Sequence, residues 1–120
     1  MLLRMQDANG RGPWKPGFSD QWVDDARRFD LPALHEAFGL GLKPMVDAAL
    51  KRGLHLGTAV RGLERFNQWF TANEQVKLAL LGYRIVDATS CEILGETEWQ
   101  AVIGSAQPLS ELPVAPKIAA

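Results

Sequence analysis

The strongest strand signal near the end of the chain is the stretch GETEWQAVI at residues 95–103. Successive side chains of a strand point to opposite faces, so Glu96 and Glu98 are expected on one face, about 6–7 Å apart. The alternate positions from Trp99 to Ile103 are expected on the other face, in a core. Two carboxylates held on a rigid strand can position a hydroxyl and stabilise a cation. A half-exposed strand with one solvated face explains the same alternation.

The segments before this stretch predict one early strand followed by several helices. Asn9-Gly10 is a turn signal after the first apolar run. Thr71 and Glu74 form a capping box at the start of a helix. Strands are predicted over residues 2–6, 83–88 and 98–103. This order predicts an α+β fold, with a small, mostly antiparallel sheet and several short helices inserted between the first and later strands.

The length of 120 residues predicts one globular domain, which we place at residues 1–104. Residues 105–120 are expected to form a C-terminal tail that lies on the surface or is partly disordered. The reason is a low content of large side chains together with three prolines, Pro108, Pro113 and Pro116.

Composition excludes several classes of function. The formal net charge is −1, which argues against direct binding to nucleic acid. No apolar run reaches the roughly 18 residues that a membrane span requires. Cys91 is the only cysteine, which excludes an internal disulfide and suits a reducing cytoplasm. His35 and His55 have no ligand spacing around them, so no metal site is expected.

A glycine-rich loop follows the first strand, in which Arg4 lies. Its glycine amides, together with Arg11 and Lys15, are suited to binding a phosphate. The alternative, which we favour from the pattern alone, is a connector whose Trp14 and Phe18 pack onto the core. Either Trp14 or Trp99 is also suited to stacking on a base or a partner at the edge of a cleft.

An arginine in the first strand and a Glu-x-Glu leading into a late strand resemble the ADP-ribosyltransferases. The resemblance implies that Glu98 is catalytic and stabilises positive charge on the nicotinamide ribose, while Glu96 positions the acceptor. It implies that NAD is the cofactor and that Arg4 binds one of its phosphates through bidentate hydrogen bonds. The Ser-Thr-Ser motif of that family has its nearest counterpart here at Thr58, in the segment LGTA.

A second resemblance covers more of the chain. The segment DANGRGPWKPGFS at residues 7–19, in which position 15 is variable, and the segment Trp69-Phe70-Thr71 are similar to small proteins of proteobacteria and their phages. This similarity implies no particular activity.

Two hypotheses follow. The first is a small ADP-ribosyltransferase-like protein of phage or bacterial origin that binds NAD and modifies a host macromolecule. The second is a non-catalytic protein that binds a host protein or protein complex and inhibits a bacterial defence system, as anti-CRISPR proteins do. The first predicts that Arg4 and Glu98 face one cleft, and the second predicts an exposed apolar or charged patch.

Overall fold

The computed structural model describes residues 1–14, 17–24, 31 and 33–116. Its five strands form one antiparallel sheet in the order β3-β1-β2-β5-β4. The strands are β1 (Leu2–Gln6), β2 (His55–Arg61), β3 (Arg84–Asp87), β4 (Glu92–Glu96) and β5 (Ala101–Ser105). The three strands β1, β2 and β5 therefore lie side by side at the centre of the sheet.

The helices lie between the first three strands. They are α1 (Leu34–Phe38), α2 (Leu42–Lys51), α3 (Leu63–Trp69) and α4 (Ala72–Leu80). Three-residue 3₁₀ turns occur at Ser19–Gln21, Gly39–Gly41 and Leu109–Glu111. This arrangement confirms the predicted α+β class with an antiparallel sheet. The capping box is also confirmed, because Thr71 Oγ accepts from the Glu74 amide and the Glu74 carboxylate accepts from the Thr71 amide.

The two faces of the sheet carry separate cores. The helix face, defined by Leu3, Met5 and Val60, packs against aromatic and aliphatic side chains of the helices and loops. The tail face, defined by Leu2, Ala59 and Ile103, packs against the segment that follows β5. Alternation along each strand thus sends neighbouring residues into different cores.

The C-terminal segment is part of the core. We predicted that the domain ends at residue 104, but Leu109 and Leu112 are buried in the tail-face cluster. The backbone then runs along β3, where Val86 and Val114 form an antiparallel bridge and the Ala115 amide donates to the Ile85 carbonyl. Burial of two leucines contributes about 1.5–3 kcal/mol each toward holding this segment on the sheet. Residues 117–120 lie outside the described residues.

The strand predicted at residues 98–103 begins later, at Ala101. Residues 97–100 form a turn between β4 and β5, in which the Thr97 amide donates to the Gln100 carbonyl at 2.9 Å. The Thr97 hydroxyl accepts from the amides of Trp99 and Gln100, at 3.2 and 3.4 Å. A threonine hydroxyl that satisfies these amides stabilises the turn in place of a longer strand. Glu96 and Glu98 therefore do not share a strand face, which corrects the prediction.

The longest described helix has 10 residues, so within the described ranges none is long and apolar enough to cross a bilayer.

Candidate ligand-binding site

Arg4 occupies a break between two central strands. β1 pairs with β2 only at Leu2 and Leu3, whereas residues 4–6 of β1 pair with β3 alone. The Arg4 guanidinium bridges this break, because Nη1 donates to the Thr58 carbonyl at 3.0 Å. The side chain is 8 % exposed, and burial lowers its pKa from the ordinary value. Arginine remains charged all the same, since its ordinary pKa is far above neutral.

Two further hydrogen bonds hold the guanidinium. Nε donates to Gln6 Oε1 and Nη2 donates to the Gly10 carbonyl, both at 2.9 Å. Gln6 in turn donates to the carbonyl of Leu109 at 2.7 Å. Arg4 therefore joins β1, β2 and the loop after β1, and through Gln6 it is connected to the C-terminal segment.

Gly57 makes room for this arrangement. A Cβ atom at this position would lie 2.9 Å from Arg4 Cζ and 2.9 Å from Leu109 Cδ1, closer than real Cβ contacts allow. The buried guanidinium therefore requires a glycine at position 57 of β2.

A pocket of about 560 Å³ opens at the centre of the sheet. Its polar lining includes Arg4 of β1, Thr58 of β2 and Gln100 of the turn before β5. Its aromatic walls are formed by Trp14, Phe66, Trp69 and Phe70. Small-molecule sites commonly combine an apolar enclosure of this size with a few polar groups that fix orientation.

The site brings together three of the segments singled out from the sequence. The arginine strand, the hydroxyl-bearing strand and the segment after Glu98 are adjacent in the sheet. Within the last segment, however, Gln100 lines the pocket and Glu98 does not. Gln100 is 9 % exposed, whereas Glu98 is exposed in the β4–β5 turn.

Glu96 is held elsewhere. Its carboxylate accepts two hydrogen bonds from Arg61, from Nε at 2.7 Å and from Nη2 at 2.9 Å. These hydrogen bonds hold the pKa of the Glu96 carboxyl below its ordinary value. Arg61 is paired with Leu2 and Glu96 with Ala101, so the ion pair lies at the edge of the tail face.

The loop after β1 does not bring Arg11 to the pocket, as the phosphate-binding prediction required. Arg11 is exposed and is absent from the pocket lining, while Lys15 lies outside the described residues. The loop instead supplies the Gly10 carbonyl to Arg4, and Trp14 to the pocket wall. Phe18 packs on the helix-face core, as the connector interpretation predicted.

Trp14 and Gln100 are the two pocket residues whose places differ most from what the sequence analysis favoured. Trp14 is 45 % exposed and packs edge-on against Trp22, with ring centroids 4.7 Å apart. From the sequence, a place at the edge of a cleft is only the alternative to core packing of Trp14. Gln100 was not singled out from the sequence, although the alternation places it on the same face as Glu98.

Glu36 of α1 is a further polar residue of the pocket. Its side chain is exposed, and its carboxylate accepts from the amide of Ala33 at 3.4 Å.

Across the described part of the chain, no group of His, Cys, Asp and Glu is suited to hold a metal ion. Burial raises the pKa of the Cys91 thiol, which disfavours the nucleophilic thiolate.

Comparisons with protein-family models, curated proteins and solved structures found no match to this chain.

Proposed function

We propose that this chain is a small ADP-ribosyltransferase-like protein that binds NAD in the central pocket. The observation that carries the proposal is that Arg4, Thr58 and Gln100, from three adjacent strands or their ends, line one aromatic-walled pocket.

The residues present fit the parts of NAD. A guanidinium has five N–H donors, and three of those on Arg4 donate to protein oxygens. Two donors are thus left without an acceptor among the described residues. Because Arg4 pairs with Val86 and its side chain starts on the tail face, a phosphate oxygen in the pocket reaches these donors only through the break between β1 and β2. The Thr58 hydroxyl suits a ribose hydroxyl, and the tryptophan walls suit a planar ring.

The predicted cleft that faces both Arg4 and Glu98 is not found among the described residues, because Glu98 is exposed in the β4–β5 turn and does not line the pocket with Arg4. Transfer to a host macromolecule through Glu98, as the resemblance implies, requires that carboxylate to reach the ribose. Incubation with labelled NAD and host lysate, for the wild type and Glu98→Gln, tests that extension. Label transfer that is lost in Glu98→Gln supports a catalytic role for Glu98.

Binding itself is tested by calorimetric titration with NAD. Stacking of a base on an aromatic side chain contributes about 1–3 kcal/mol, so Trp14→Ala is expected to weaken binding by about 10-fold or more. Leu40→Ala is the matched control, because Leu40 is exposed and does not line the pocket. No heat of binding at millimolar NAD contradicts the proposal.

A second candidate function is favoured by an exposed apolar surface on α4. Leu80 is 84 % exposed and Val76 is 58 % exposed. Val76 also lines a groove between α4 and the C-terminal segment. This surface suits a non-catalytic inhibitor that binds a bacterial defence complex, as an anti-CRISPR protein does.

A plaque assay in a host with an active CRISPR system tests this candidate. Inhibition by the wild type that is lost in Leu80→Asp, but kept in Leu40→Asp, supports it. Full immunity in the presence of the wild-type protein contradicts it.

A further inference from the structure

We infer that two copies of this chain associate through a groove beside α4, so that a ridge on α4 of each copy lies in the groove of the other. The α4 ridge is defined by Val76 and Leu80, which are one helical turn apart and both exposed. The inference goes beyond the proposed function, because NAD binding in the central pocket does not require a second copy.

The groove lies on the helix face of the sheet and has a volume of about 850 Å³. Its floor includes Met5 of β1 and Ile85 of β3, which pair with each other and belong to the helix-face core. One wall is α4, and the other is formed by residues 114–116 of the C-terminal segment. The groove therefore offers apolar surface at the edge of the core.

The side chains of α4 are divided between the core and the groove. Leu78 is fully buried in the helix-face core. The residues that line the groove follow one another at spacings of three, one and three, which places them on one face of the helix; they are Ala72, Gln75, Val76 and Ala79. Leu80 lies one turn after Val76, so the α4 ridge runs along the border of the groove.

The polar groups at one end of the groove are already satisfied as donors. Gln75 Nε2 donates to Asn67 Oδ1 and to the carbonyl of Phe70, both at 2.9 Å. Both N–H donors of this amide are thus used within the chain. Covering this end of the groove with apolar side chains therefore leaves neither donor unsatisfied.

The charged side chains of α4 are also engaged within the chain. Lys77 forms an ion pair with Asp24. Glu74 is fully buried, and its carboxylate accepts from the Thr71 amide at 2.8 Å. The exposed face of α4 is therefore apolar or neutral along the ridge.

Arg84 is the one charged residue among the described residues that line the groove. Its neighbour Ile85 packs on the helix-face core, so the Arg84 side chain starts on the tail face of the sheet. The guanidinium therefore leaves from the opposite side of β3, and the helix-face lining of the groove is neutral.

This combination favours a second copy as the occupant. A two-fold interface uses the same surface on both subunits, so that surface has to be complementary to itself. The surface beside α4 meets this requirement, because it carries both a ridge and a groove. A two-fold contact also brings like charges together, which destabilises it, and a neutral surface avoids this repulsion.

Sedimentation equilibrium of the full chain, from micromolar to millimolar concentration, tests the inference. We expect the wild type to be mainly dimeric at millimolar concentration. Leu80→Lys is expected to weaken dimerisation at least about 30-fold, as for a residue at the centre of an interface. A lysine in the last turn of α4 suits the helix dipole, so the variant is expected to fold. Leu40→Lys is the matched control, because Leu40 is exposed and lies outside the groove.

A pair of charge variants tests the two-fold arrangement and does not depend on Leu80→Lys. Val76→Glu and Val76→Lys are each expected to be monomeric at concentrations where the wild type is dimeric, because like charges then meet in the interface. An equimolar mixture of the two is expected to associate more tightly than either variant alone. A mixture that associates no more tightly than its components overturns the two-fold contact.

A wild type that stays monomeric at millimolar concentration overturns the inference. Dimerisation that is equal in the wild type and in a folded Leu80→Lys variant also overturns it, because the contact then lies on another surface. A monomeric wild type whose inhibition in the plaque assay is lost in Leu80→Lys assigns the surface to another protein, and this result also excludes the second copy.

Discussion

Arg4 Nη1 donates to the carbonyl of Thr58 at 3.0 Å, across the break between β1 and β2. One side chain thus substitutes for the backbone pairing that is missing between the two strands at this point, and it also lines the central pocket. Stability and the proposed binding function are therefore joined in one residue.

Removal of this guanidinium is expected to destabilise the fold. Arg4→Ala leaves the Gln6 side-chain oxygen and the carbonyls of Thr58 and Gly10 without their donor. Unsatisfied buried groups cost about 1–3 kcal/mol each, so we expect a loss of about 3 kcal/mol in the free energy of unfolding. Urea denaturation measures it, with the exposed Arg11→Ala expected to change stability by less than about 0.5 kcal/mol. A loss below 1 kcal/mol in Arg4→Ala refutes the structural role.

Gly57→Ala tests the space around the same guanidinium. The new methyl group meets Arg4 and Leu109 at 2.9 Å, so we expect a loss of about 1–3 kcal/mol from overpacking. Gly41→Ala is the matched control, because a Cβ atom there meets nothing within 4 Å. Equal melting temperatures for the two variants contradict the packing described here.

Burial of Leu112 tests whether the C-terminal segment belongs to the core. Leu112→Ala is expected to lower the free energy of unfolding by about 2–4 kcal/mol, as for other buried leucines. Val114→Ala, at an exposed position of the same segment, is expected to have an effect of less than about 1 kcal/mol. Chemical denaturation of both variants measures the difference, and a tail that only lies on the surface predicts no difference between them.

The strand at residues 2–6 and the capping box at Thr71 were predictable because each signal lies within a few residues of sequence. The segment from β4 to β5 was harder. β4 was not predicted, and β5 starts three residues later than the alternation suggests, because the Thr97 hydroxyl holds residues 97–100 in a turn. The turn removes Glu98 from the strand, so that Gln100 lines the pocket and Glu98 does not, and alternation alone does not encode where such a turn ends.

The acceptors of Arg4 could not be predicted for a different reason. Two of them are backbone carbonyls, and one belongs to a residue 54 positions away in sequence. Leu109 and Leu112 were missed because they lie among prolines, where composition suggests a tail. In both cases the partners are brought together only by the sheet order.

The ion pair of Arg61 and Glu96 predicts a pH dependence. The pKa of the Glu96 carboxyl is lower in the folded chain than the unfolded value of about 4.3. Its contribution to stability is therefore present above that pH and is lost as the pH falls through the folded pKa. Because the ion pair is largely exposed, we expect its loss to change the free energy of unfolding only slightly. We expect a clear change in the pH at which the Glu96 carboxyl titrates.

Carboxyl carbon shifts recorded against pH measure this titration. The Glu96 midpoint is expected to rise in Arg61→Gln, and to stay unchanged in Arg65→Gln, which leaves the pair intact. An unchanged midpoint in Arg61→Gln shows that the hydrogen bonds to Arg61 do not form in solution.

Titration of ¹⁵N-labelled protein with NAD, followed by amide and indole chemical shifts, tests the central claim most directly. The account predicts shifts that cluster at Thr58, Gln100 and the Trp14 indole as NAD is added. No shifts at millimolar NAD, or shifts that cluster around Val76 and Leu80 instead, contradict it.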